Sequence, residues 1–176
     1  MEGRIDMGNR AVIQIQGQET GVYLHWNGGY DTVKPLLDVA REYGVRGDDY
    51  GTARLAQMLG NFFCSDVAYA HLLEDVPRHP TFNRHLTLQT RAEMMAAMLA
   101  QMLGNFFGGI LNVGVGSIDR LDCNNGDNGT YVVDTNFNIV DRLFYEGPEA
   151  NYHDYDDMRD AFKQANDRYF IKQEGS

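Results

Sequence analysis

The chain predicts an α+β fold: an antiparallel sheet of about five strands packed by amphipathic helices, with a helical insertion. Three observations carry that reading. Strand-like apolar segments cluster near both ends, helical periodicity fills the middle, and one helical segment occurs twice.

Residues 11–16 and 21–26 alternate or run apolar on either side of Gly17 to Thr20, which reads as a β-hairpin. Asp31 is placed to cap a helix running to about Tyr43, with Val33, Leu36, Leu37 and Ala40 inward. Pro35 is expected in its first turn, and Gly44 supplies the stop. A Gly/Asp loop over 44–51 leads to a second helix. Residues 64–89 read as an insert, helical near 66–74 and then a loop marked by Pro77 and Pro80. Strand candidates follow at 110–115, 130–133 and 138–145, with turn chemistry at Asp127–Gly129 and at Asp134–Asn136. Over 155–171, Tyr155, Met158, Phe162, Ala165 and Tyr169 mark a last amphipathic helix. Residues 7–176 are taken as one domain that includes a helical insert with the duplicated segment 64–107. Residues 1–6, with Glu2-Gly3-Arg4, read as a leader or a remnant of a cleavage linker.

The duplication is the most specific feature. Leu55–Phe63 recurs unchanged as Leu99–Phe107, an offset of 99 − 55 = 44 residues. In the first copy Leu55, Met58, Leu59, Phe62 and Phe63 fall at i, i+3, i+4, i+7 and i+8, one apolar helical face. The second copy extends upstream to Thr90 and Glu93, a capping-box pair, for a helix of about 17 residues or ~26 Å. Two identical faces then exist for one core groove. The copy next to the third strand, Leu99–Phe107, is expected to keep that groove. The face of Leu55, Met58, Leu59, Phe62 and Phe63 becomes a candidate interaction helix, available to a protein partner or to a homodimer. The competing expectation is that both copies pack in one enlarged monomeric core.

Charge and cysteine content narrow the partners. Fifteen Lys+Arg against 25 Asp+Glu give a formal charge of −10, which disfavours direct nucleic-acid binding. Two cysteines, Cys64 and Cys123, are too few for a disulfide scaffold and suit a reducing, cytoplasmic compartment. The uncharged run from Met94 to Ile118 is long enough to span a bilayer. Gln101, Asn105, Asn112 and the Gly108-Gly109 break instead favour a buried helix followed by a buried strand, with no membrane partner.

Candidate chemistry is sparse. His25, Trp26, Asn27, Gly28 and Gly29 form a possible ligand loop, because a strand ending in Gly-Gly before a helix can offer N–H groups to an anion. Asp31 would fill that site with its own carboxylate, and His25 lacks a nucleophile at a linked spacing. The plainer reading is a core aromatic and a strained strand–helix turn. The oxygen-rich Asp122–Gly129 loop fails calcium-loop spacing, since Asp127 falls where glycine is needed. His71, His79 and His85 are spaced 8 and 6 apart, wider than paired zinc ligands. Cys64 and Cys123 show no C-x-x-C arrangement. No catalytic residue, metal or cofactor is therefore assigned. The acids Glu146, Glu149, Asp154, Asp156, Asp157 and Asp160 suit either a solvated helix start or a surface that mimics nucleic acid.

Four segments resemble landmarks of a family of small bacterial proteins associated with phages and mobile elements. They are residues 8–13 (GNRAVI), 23–29 (YLHWNGG), 104–109 (GNFFGG) and 127–131 (DNGTY). The resemblance covers most of 7–63 and 104–145 but not 64–98, and it implies no established activity or site residues. The expectation is a non-enzymatic interaction protein of mobile-element origin that acts by protein–protein contact or self-association. Two alternatives are an acidic inhibitor that mimics nucleic acid and a small enzyme using the His25–Gly29 loop.

Overall fold

The computed structural model describes residues 9–25, 27–63, 113–121, 128–145 and 153–170. Its elements are β1 (Ala11–Ile15), β2 (Thr20–Leu24), α1 (Tyr30–Glu42), α2 (Gly51–Phe63), β3 (Val113–Ser117), β4 (Thr130–Val133), β5 (Ile139–Leu143) and α3 (Tyr155–Asn166). A single 3-10 turn, Asp167–Tyr169, ends α3. The expected second-copy helix with its Thr90–Glu93 cap, the 66–74 stretch, both cysteines and His71, His79 and His85 lie outside the described residues. So do Glu146, Glu149 and residues 122–127.

The five strands form one mostly antiparallel sheet in the order β3-β2-β1-β4-β5. Its central pair is the exception: β1 and β4 run parallel, with Ile13 opposite Tyr131 and Ile15 opposite Val133. A parallel neighbour needs a crossover, and the long run of chain between β2 and β4 provides one. Register puts Ala11, Ile13, Ile15, Val22, Leu24, Tyr131 and Val133 on one face, and all are buried in the core shared with the helices. Val12 on the opposite face is also buried. Ile118 bonds through its N–H to the Glu19 carbonyl at 2.8 Å. Its Cδ1 lies 2.5 Å from where a Cβ on Gly21 would sit, so glycine lets it pack closely there.

Helix α1 starts one residue before the expected cap. Gly29 is the N-cap residue, and its carbonyl accepts from Thr32 and Val33 at 3.1 and 2.9 Å. Asp31 is a buried first-turn residue whose carboxylate accepts the His153 N–H at 2.8 Å, tying α1 to the start of α3. Pro35 is the sixth helical residue rather than part of the first turn. The far end closes as expected, with Gly44 at φ +68° and the Val45 N–H on the Ala40 carbonyl at 2.9 Å.

The first repeat copy corrects the expectation about the groove. Leu55, Met58, Leu59 and Phe62 are fully buried and Phe63 packs partly buried against the core, so this face is not a free interaction surface. Phe62 meets Phe162 of α3 with ring centroids 4.5 Å apart. Beside them Asn61 donates to Asn166 at 2.9 Å, and Asn166 donates to the Phe162 and Met58 carbonyls. Thus a buried polar pair has its donors and acceptors met. The 44–50 loop leads directly into α2, with the Gly51 N–H on the Asp48 carbonyl at 2.7 Å and Arg54 on the Arg46 carbonyl and the Asp48 carboxylate.

Polar contacts line the α1–α3 seam. Asp38 binds Lys34, Arg41 and Tyr155, while Glu42 binds Arg159 and Lys163. Burial works against the Asp38 carboxylate, but hydrogen bonds from Lys34 and Tyr155 and two cations hold it below its ordinary value. Burial and the Asp38 contact push Tyr155 up to about 12. Asp154 caps α3 by accepting from the Asp156 and Asp157 N–H groups, so one acid of the expected surface run has a local structural task. Among the described residues no helix is long and apolar enough to cross a membrane.

Candidate functional site

Because β1 and β4 are parallel, their first residues lie side by side, where β2 and β5 end. Three landmark segments therefore meet at one end of the sheet. Asn128 donates from its backbone N–H to the Arg10 carbonyl at 3.0 Å, and from its side chain to the same oxygen at 3.1 Å and to the Asn9 side chain. The Gly28 N–H bonds the Asn9 carbonyl at 2.6 Å, and the Tyr131 hydroxyl donates to the Gly28 carbonyl at 3.0 Å.

Two glycines are required by this closeness. A Cβ on Gly28 would lie 2.6 Å from both the Ala11 N and its Cβ. Gly129 has φ +65°, and a Cβ there would meet the Leu143 carbonyl oxygen at 2.2 Å. Arg142 closes the cluster from β5. Its guanidinium lies 3.7 Å from the Tyr131 ring centroid and 4.1 Å from that of Tyr145, and it donates to the Asn128 carbonyl at 2.8 Å. A cation between two aromatic faces is favourable and fixes the strand end.

The loop singled out from sequence is part of this knot. His25 Nδ1 is 3.1 Å from the Tyr23 hydroxyl, with the rings 6.1 Å apart. Trp26 lies outside the described residues. Asn27 takes a left-handed φ of +58°, and Gly29 starts α1. Both backbone groups of Gly28 are spent within the fold, so its N–H is not offered to an anion, which corrects that part of the ligand-loop reading. Among the described residues the group beside His25 Nδ1 is the Tyr23 phenol. Among the described residues no group of three His, Cys, Asp or Glu side chains is placed to hold a metal ion.

Two surface features remain. An open cleft of about 490 Å³ is lined by Arg41, Arg46, Asp48, Thr135 and neighbours, but Arg41 is held by Asp38 and Asn138, and Arg46 pairs with Asp48 at 3.4 Å. The other feature is the outer edge of β5, which among the described residues pairs with β4 alone. Val140 is the extra residue at a register shift between Val132 and Val133, and it has no partner on β4. Val140 is 49% exposed, Leu143 37% and Phe144 57%. No sequence signal separated these residues from an ordinary hairpin strand, because edge position depends on the strand order. Comparisons with protein-family models, with curated proteins and with solved structures each give no significant match.

Proposed function

We propose that the chain is a non-enzymatic interaction protein that acts by protein–protein contact, and that its contact surface is the open edge of β5. Self-association through this edge is the simplest form of that activity. The observation that carries the reading is the grouping of Val140, Leu143 and the following Phe144, all exposed, along a strand with one side unpaired among the described residues. Edge strands present free N–H and C=O groups, and proteins that keep them solitary usually guard them with charge, proline or a cover. Here Arg142 is folded onto Tyr131, which leaves Asp141 as the charged residue of the strand directed outward. The mobile-element origin belongs to the same reading and rests on the landmark resemblance, and a cytoplasmic location rests on the cysteine content.

Amide hydrogen exchange followed against protein concentration tests the assignment. Amides within 139–144 that do not bond to β4 gain protection as concentration rises, while those of β3 stay unchanged. Protection independent of concentration across 139–144 contradicts self-association at this edge.

A further inference from the structure

We propose that the second copy, Leu99–Phe107, is a competing occupant of the groove that holds α2, and that residues just upstream of the repeat select the first copy. Every groove contact named above for α2 falls inside the repeated nine residues. Leu55, Met58, Leu59 and Phe62 are the buried apolar set, Asn61 binds Asn166, and Phe62 meets Phe162. Leu99, Met102, Leu103, Asn105 and Phe106 repeat those side chains at the same spacing. Within that window the groove has no means of telling the copies apart.

Discrimination comes from the flank. A Cβ on Gly51 would meet Ile15 Cδ1 at 2.5 Å, and the equivalent residue of the second copy is Met95. The Thr52 hydroxyl donates to the Gln18 side chain at 2.9 Å, where the second copy has Ala96. Arg54 donates to the Arg46 carbonyl at 2.9 Å and to the Asp48 carboxylate, where the second copy has Met98. Ala53 and Ala97 match. Two polar anchors therefore favour the first copy, helped by a close approach at Gly51 that the tip of Ile15 would have to move to relieve, and the groove itself stays open to either.

The test is a double-mutant cycle in the full chain, read by the equilibrium unfolding constant. Leu59→Ala alone is buffered, because the second copy takes the groove. The double variant raises the unfolding constant by about tenfold or more beyond the product of the single effects. If the alanine pair prevents folding, Leu59→Val with Leu103→Val gives the same cycle with milder losses. In a second background, Thr52→Ala with Arg54→Met, sensitivity at position 59 falls and that at position 103 rises, so the two approach each other. Single effects that simply multiply in both backgrounds overturn the proposal.

Discussion

Strand β4 has two sides that differ in kind. Toward β1 it is closed by a polar knot in which Asn128, Gly129, Tyr131 and Gly28 spend their bonding capacity on one another and on Asn9 and Arg10. On its other side it is followed by β5, where Val140, Leu143 and Phe144 lie exposed beside an edge unpaired among the described residues. The most distinctive polar segments of the described residues thus serve the fold, and the surface we propose for contact is the plainer apolar strand. Distinctive residues at a tight junction are required by geometry whether or not any ligand is bound.

Substitutions on the two sides are expected to separate stability from association. The largest effect falls on the knot. Gly129→Ala combines a left-handed backbone with a clash against the Leu143 carbonyl, and it is expected to cost about 3 kcal/mol in urea unfolding. A loss within experimental error would show that β4 and β5 are free to separate there. Arg142→Gln removes the cation from between Tyr131 and Tyr145 and is expected to cost about 1–2 kcal/mol. That cost is nearly independent of salt if the aromatic contacts dominate, and thermal unfolding at two ionic strengths reads it.

The helix seam predicts the pH profile. The carboxylates of Asp38 and Glu42 sit below their ordinary values, the latter through Lys163 first and Arg159 as well. A depressed folded-state value means that the unfolded chain takes up protons first as pH falls. This contribution is full above about pH 5 and is lost as pH falls through the ordinary carboxylate range and below. Tyr155 has the opposite sign. Its stabilising hydroxyl donor is fully present below pH 10.0 and is lost as pH rises toward about 12. Denaturant midpoints across pH are expected to form a plateau with losses at both ends. Asp38→Asn shrinks the acid loss, and an unchanged acid limb would remove the seam as its source.

The hairpin, α1, α2 and α3 were all legible from apolar period, because each buries one face against a common core. The parallel β1–β4 pairing was not, since alternation marks a strand without giving its direction or neighbour. The choice of the first repeat copy was illegible for a related reason: Gly51, Thr52 and Arg54 are ordinary residues until Ile15, Gln18 and Asp48 are brought to them. Asn27, Gly28 and Asn128 each signalled a local turn. Their convergence depends on strand order, as does the exposure of Val140.

The smallest effect on stability accompanies the most direct test of function. Val140→Lys with Leu143→Lys lies on exposed positions and is expected to change unfolding stability by less than about 0.5 kcal/mol. Light scattering at high concentration is the deciding measurement. A dimeric mass is expected for the parent chain and a monomeric mass for the lysine pair. A monomeric parent, or a dimer that survives both lysines, contradicts self-association through β5.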